Sequence, residues 1–147
     1  QKVKEKRVLK ILSVDFKEPT EYNIRIPYDC GGKHSEEKEI GYDFNTHKVF
    51  VEVDENQHKS YCDVGETNRM RNIYMSEGGI PIVFIRYNPD NFRISGKKCK
   101  IPQPNRETQL VKWLEHYESF ENIKNPLTVH YLYYDEKLSE IIDVEPY

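Results

Sequence analysis

Long apolar runs are missing from this sequence. No segment approaches the roughly 18 consecutive apolar residues that a membrane-spanning helix requires, and the first dozen residues lack the apolar core of a secretory signal. Cysteine is scarce as well. Cys30, Cys62 and Cys99 lie far apart and are odd in number, which argues against a complete disulfide framework and for a reducing, intracellular compartment. The same spacing gives no support for a zinc site shared with His34 or His58. An excess of charge is also lacking: the formal net charge is −3, so there is no global electrostatic signature of nucleic-acid binding, and any phosphate contact must rest on local patches.

What is present is one domain's worth of chain. The 147 residues, read as a single domain 1–147, suffice to close one core around a sheet of four to five strands. The hydrophobic fraction is only 37% against 32% charged, so aromatic residues, with eleven Tyr and six Phe, carry much of the core. There is no internal repeat. The chain begins with Gln1 rather than Met, which suggests a trimmed or incompletely represented protein.

The chemistry concentrates between Tyr42 and His58. Val49, Val51 and Val53 alternate with Phe50, Glu52 and Asp54, and the two-residue period of a strand sends the valines to one face and the carboxylates to the other. Tyr42-Asp43-Phe44 reads as the partner strand of a hairpin turning at Asn45-Thr46-His47. That hairpin is expected to bring Asp43 to Glu52 and Asp54, three carboxyl groups whose oxygens suit Mg²⁺ or Mn²⁺ better than zinc. Converging carboxylates repel and resist burial, so a cation or a shared proton is expected between them. His58 follows Asp54 by four residues and is placed to act as general base.

The rest of the chain punctuates into an α/β pattern. Residues 2–12 read as a helix stopped before Pro19, and 21–26 alternate like a strand. Residues 33–39 read as a mobile loop. The run 64–77 carries a capping-box signature and the apolar stripe Met70, Ile73, Tyr74, giving a helix. Residues 80–85 form a nearly continuous apolar run, the pattern of a strand covered on both faces, and strand, helix, strand implies a parallel crossover. Residues 93–104 read as a loop with a basic cluster, Arg93, Lys97, Lys98 and Lys100, available to a phosphate backbone. A helix capped by Asn105 runs to about residue 118, a strand covers 127–134, and the acidic tail from Glu136 has no assigned element. His47 is expected in solvent, whereas His116 and His130 are expected to be structural.

Asp43, the Glu52-Val53-Asp54 strand end and Glu55-Asn56-Gln57-His58 resemble the active-site region of the PD-(D/E)XK nuclease superfamily, within it the very-short-patch-repair endonucleases and related homing endonucleases. The resemblance continues through Glu66-Thr67-Asn68-Arg69-Met70-Arg71 and from Gly79 to Asp90 and covers about residues 40–92. It implies a single-domain α/β, restriction-endonuclease-like fold, a central mixed sheet flanked by helices, and metal-dependent cleavage of nucleic-acid phosphodiesters, DNA ahead of RNA.

By that resemblance Asp43 and Asp54, joined by Glu52, hold Mg²⁺ or Mn²⁺, His58 relays a proton and Gln57 orients the water or the phosphate. Arg86 or a loop lysine offsets charge on the phosphoryl oxygens, and Glu5 on the first helix is a weaker candidate. A homodimer or larger complex is a natural partner state for site-specific cutting. The competing reading is a catalytically degenerate nuclease fold that binds nucleic acid or serves as a structural subunit of a ribonucleoprotein assembly. Tyr42-Asp43 in place of the family's Pro-Asp, and the absence of a lysine after Glu52-Val53, favour it. A metal-free carboxylate-dyad glycosidase finds no support in the α/β pattern.

Overall fold

The computed structural model describes residues 3–25, 37–58 and 63–147. Helix α1 (Val3–Asp15) leads into β1 (Glu21–Arg25), β2 (Glu37–Asp43) and β3 (Lys48–Val53). Helix α2 (Asp63–Ser76) and β4 (Ile82–Tyr87) follow, then the small hairpin β5 (Phe92–Ile94) and β6 (Lys97–Cys99). Helix α3 (Gln103–Glu118), β7 (Leu127–Tyr134) and β8 (Lys137–Asp143) complete the chain. Six strands form one mixed sheet ordered β1-β2-β3-β4-β7-β8. β3, β4 and β7 run parallel, and the flanking strands are antiparallel to their neighbours.

Alternation along β3 decides which helix covers which face. Val49 and Val51, with Val83 and Ile85 of β4, pack on α1 and α3 through Val8, Leu12, Leu110 and Leu114. The intervening Phe50, with Ile82, Phe84, Leu127 and Val129, packs on Met70, Ile73 and Tyr74 of α2. Burying each of these side chains contributes about 1.5–3 kcal/mol before entropy is charged against it. Every residue of β4 is buried, as a strand at the centre of a parallel sheet must be. Gly41 of β2 leaves room for its neighbours: a Cβ there would stand 2.6 Å from Glu21 Cγ and 3.0 Å from the Phe50 ring. No helix among the described residues is long and apolar enough to cross a membrane.

Several expectations change. The sheet has six strands rather than four to five, because the acidic tail pairs with β7 as β8. Part of the expected 33–39 loop belongs to β2, and residues 26–36 lie outside the described residues. The expected 93–104 loop contains the β5–β6 hairpin. Helix α3 starts at Gln103 behind Pro102 with no side-chain cap, so Asn105 is inside it. His47 is buried, its Nε2 2.7 Å from the Tyr117 carbonyl oxygen, where solvent was expected. Cys99 is a free thiol, and Cys30 and Cys62 lie outside the described residues.

Candidate functional site

Antiparallel pairing fixes which acids meet. Counting outward from the turn, Asp43 pairs with Lys48 and Glu39 pairs with Glu52. Asp43 therefore stands at the turn end of the hairpin, exposed, its Oδ1 accepting the Asn45 N–H at 2.8 Å. Six strand positions separate Lys48 from Asp54, about 20 Å at the rise of a strand, so Asp43 cannot share an ion with Asp54. Glu39 takes the place expected for Asp43. Its signal was in the sequence: Ile40 and Tyr42 alternate inward as strand residues do, leaving Glu39 on the face of Glu52.

The carboxylates lie on the α2 face, at the C-terminal ends of β3 and β4, where open α/β sheets place their ligands. Glu39, Glu52 and Asp54 are 0%, 1% and 2% exposed, and Arg69 and Arg86 only 3% and 2%. Such burial is tolerable because the two guanidinium groups are shared among the carboxylates. Arg69, projecting from α2, grips Glu52 with two parallel bonds, Nη1 to Oε2 and Nη2 to Oε1, both 2.8 Å. Its Nη1 is also 3.7 Å from Glu39 Oε2, and Nη2 donates to Glu66 Oε1 at 3.0 Å. Arg86, the cross-strand partner of Glu52 on β4, pairs with Glu66, reaches Asp54 Oδ2 with Nη2 at 3.0 Å and lies 3.5 Å from Glu52 Oε1 through Nε. Burial alone would raise the Glu52 pKa, but the guanidinium groups of Arg69 and Arg86 outweigh it and hold the carboxyl down at about 2.

A second layer comes from the end of β7. The Tyr134 hydroxyl donates to Asp54 Oδ2, the oxygen that Arg86 also reaches. Asp135 and Gln57 clasp each other, Gln57 Nε2 to Asp135 Oδ1 at 3.0 Å and Asp135 N to Gln57 Oε1 at 2.8 Å. The Gln57 amide thus ties the turn after β3 to the end of β7. Asn56 and Gln57 both hold positive φ, 54° and 58°, strained for residues other than glycine and maintained here by that clasp and by the bond from Asn56 N to Asp90 Oδ2, 2.7 Å.

Of the remaining expected residues, Arg86 lies on the carboxylates and is buried, so it is a counter-ion of the acids rather than a surface contact for nucleic acid. Arg93, Lys97, Lys98 and Lys100 are exposed on or beside the β5–β6 hairpin. The hairpin is moored to the site, with Arg93 N donating to Asp135 Oδ1 and Ser95 N to Glu136, both at 2.8 Å. The backbone of His58 closes the turn Glu55–His58, and its side chain lies outside the described residues. Glu5 accepts the Tyr22 hydroxyl at 2.8 Å. Tyr22 pairs with Ile40, whose side chain packs on the α1 and α3 face, so Glu5 sits across the sheet from the acids.

No protein-family model, curated protein or solved structure matches the chain.

A divalent cation can be tested against this donor set. The chemistry fits, since Glu39, Glu52 and Asp54 offer only carboxylate oxygens on one face. As they stand, those oxygens are engaged by guanidinium groups, and among the described residues no three acidic, histidine or cysteine side chains are grouped to hold an ion.

Proposed function

We propose that this chain is a metal-dependent nuclease that hydrolyses nucleic-acid phosphodiesters at the Glu39–Glu52–Asp54 centre. The observation that carries the reading is that these three buried acids lie on one face of the sheet near the C-terminal ends of β3 and β4, bridged by Arg69 and Arg86, beside a basic hairpin moored to the end of β7. Glu39, Glu52 and Asp54 would hold Mg²⁺ or Mn²⁺, which when bound would polarise a phosphoryl oxygen and acidify the attacking water. Arg86 holds Asp54 and Glu52 in place through its guanidinium nitrogens. Tyr134 fixes the Asp54 rotamer. The exposed lysines of the hairpin would contact the backbone of the substrate, with His58 the candidate proton acceptor by its place in the sequence.

The test is cleavage of labelled single- and double-stranded DNA and RNA in Mg²⁺, Mn²⁺ or chelator, with Asp54→Asn and Glu52→Gln as controls. Metal-dependent cutting lost in both variants supports the reading. Absence of cutting between pH 6 and 9 by protein that binds nucleic acid supports the second reading, a retired nuclease scaffold. The two-pronged grip of Arg69 on Glu52 favours that alternative.

A further inference from the structure

The α3 face of the sheet carries a chain of polar groups that the acidic centre does not use. Antiparallel register sets Ser139 of β8 opposite Leu132, which makes His130 of β7 its diagonal neighbour on the same face. Ser139 Oγ lies 2.8 Å from His130 Nε2, and His130 Nδ1 lies 2.8 Å from the Tyr117 hydroxyl. His130 and Tyr117 are buried, while Ser139 is exposed. The Trp113 and Tyr117 rings meet the imidazole edge to face, at 4.3 and 5.8 Å between centroids, and hold its plane. Ser139 also lines a cavity of about 590 Å³ walled by Ile101, Trp113, Leu132, Tyr133 and Leu138. A hydroxyl on a base that a third group orients is the arrangement that activates a serine. We infer that Ser139 is a nucleophile that takes the acyl group of aryl esters bound in this cavity, with His130 as its proton acceptor and Tyr117 positioning the imidazole.

The acids of the α2 face take no part. With the ring proton on Nδ1, shared with the Tyr117 oxygen, His130 Nε2 accepts from Ser139. Oγ adds to the ester carbonyl carbon as its proton passes to Nε2, and the tetrahedral adduct expels the aryloxide, which leaves with that proton as a phenol. Acyl–Ser139 remains. Water adds to it in the same way, its proton passing to Nε2, and Oγ takes that proton back as the carboxylic acid departs. Charge developing on the carbonyl oxygen needs N–H donors, and the side-chain amides of Asn105 and Gln109, on one face of α3, line the same cavity. The walls select an apolar acyl or aryl body. Burial lowers the His130 pKa to about 4, so the imidazole is neutral at physiological pH but a weak base. That is why the leaving group must be a phenol, which departs with little assistance.

The experiment treats the full chain with a fluorophosphonate probe and with p-nitrophenyl butyrate, comparing wild type with Ser139→Ala, Tyr117→Phe and His130→Gln, each checked for folding by circular dichroism. Peptide mass spectrometry should place the probe on Ser139, and wild type should hydrolyse the ester about a hundredfold faster than Ser139→Ala. Tyr117→Phe should lower kcat with KM unchanged, which a packing role alone would not do; an unchanged kcat overturns its positioning role. Probe on other residues only, no probe at all, or equal hydrolysis by Ser139→Ala overturns the inference. So does unchanged hydrolysis by folded His130→Gln. Should His130→Gln not fold, the ring-nitrogen NMR shifts of His130 in wild type decide: a protonated Nδ1 with a bare Nε2 supports the proton-acceptor role, and the opposite tautomer refutes it.

Discussion

Tyr134 donates its hydroxyl to Asp54, 80 residues earlier in the chain. Strict alternation would forbid this. Leu132 and Thr128 are even-numbered β7 positions whose strand partners Ser139 and Asp143 line pockets beside α3, and Tyr134 should follow them to that face. Tyr133 breaks the pattern with φ of 68°, a left-handed conformation rare for a bulky side chain. Its ring turns into the α3-side core beside Tyr87 and Phe92, and Tyr134 emerges on the side of Asp54 and Tyr131.

Tyr134→Phe removes one donor from a buried carboxylate without changing the packed ring. The expected loss is about 1–3 kcal/mol of unfolding free energy, measured by urea denaturation. A cost below about 0.5 kcal/mol would mean that the hydroxyl does not secure Asp54.

Asp43→Ala and Glu39→Gln separate the two candidate first acids. Asp43 is exposed and caps only its own turn, so its loss should cost no more than about 1 kcal/mol and leave Mn²⁺ affinity unchanged. Glu39 faces Glu52 in the buried centre, and Glu39→Gln should weaken Mn²⁺ binding measured by calorimetry. The reverse pattern would overturn the register argument.

Stability should fall with acid in two stages. Burial lowers the His130 pKa from 6.5 to about 4, helped by nearby His116, so the unfolded chain binds the proton first. The contribution is fully present above pH 6.5 and is lost as pH falls toward 4, with a slope of at most ~1.4 kcal/mol per pH unit. Glu52 adds its own loss from its ordinary 4.5 down to about 2. His130→Gln should flatten the upper stage and leave the decline starting near pH 4.5, read by urea unfolding at stepped pH.

Lys97→Glu and Lys98→Glu reverse charges at two exposed positions of the hairpin, away from its buried Phe92. On the nuclease reading they should weaken binding to any nucleic-acid sequence alike and lower the salt slope by roughly one per lysine. Fluorescence anisotropy across a salt series measures both, and an unchanged slope would remove the hairpin from the interface.

The sequence by itself determined the α/β class, the hairpin turning at Asn45-Thr46-His47, the α2 stripe and the buried β4, because these follow from local periodicity and turn chemistry. It also determined that Glu52 and Asp54 share a face, and counting outward from that turn would have placed Glu39 rather than Asp43 opposite Glu52. Tertiary structure alone decided the rest. Arg69 reaches Glu52 only because α2 packs on that face, and Tyr134 reaches Asp54 only because Tyr133 reverses the alternation. Gln57 meets Asp135 only where the end of β7 arrives beside the β3 turn. A buried ion pair is specified by which elements pack together, and no local spacing encodes that.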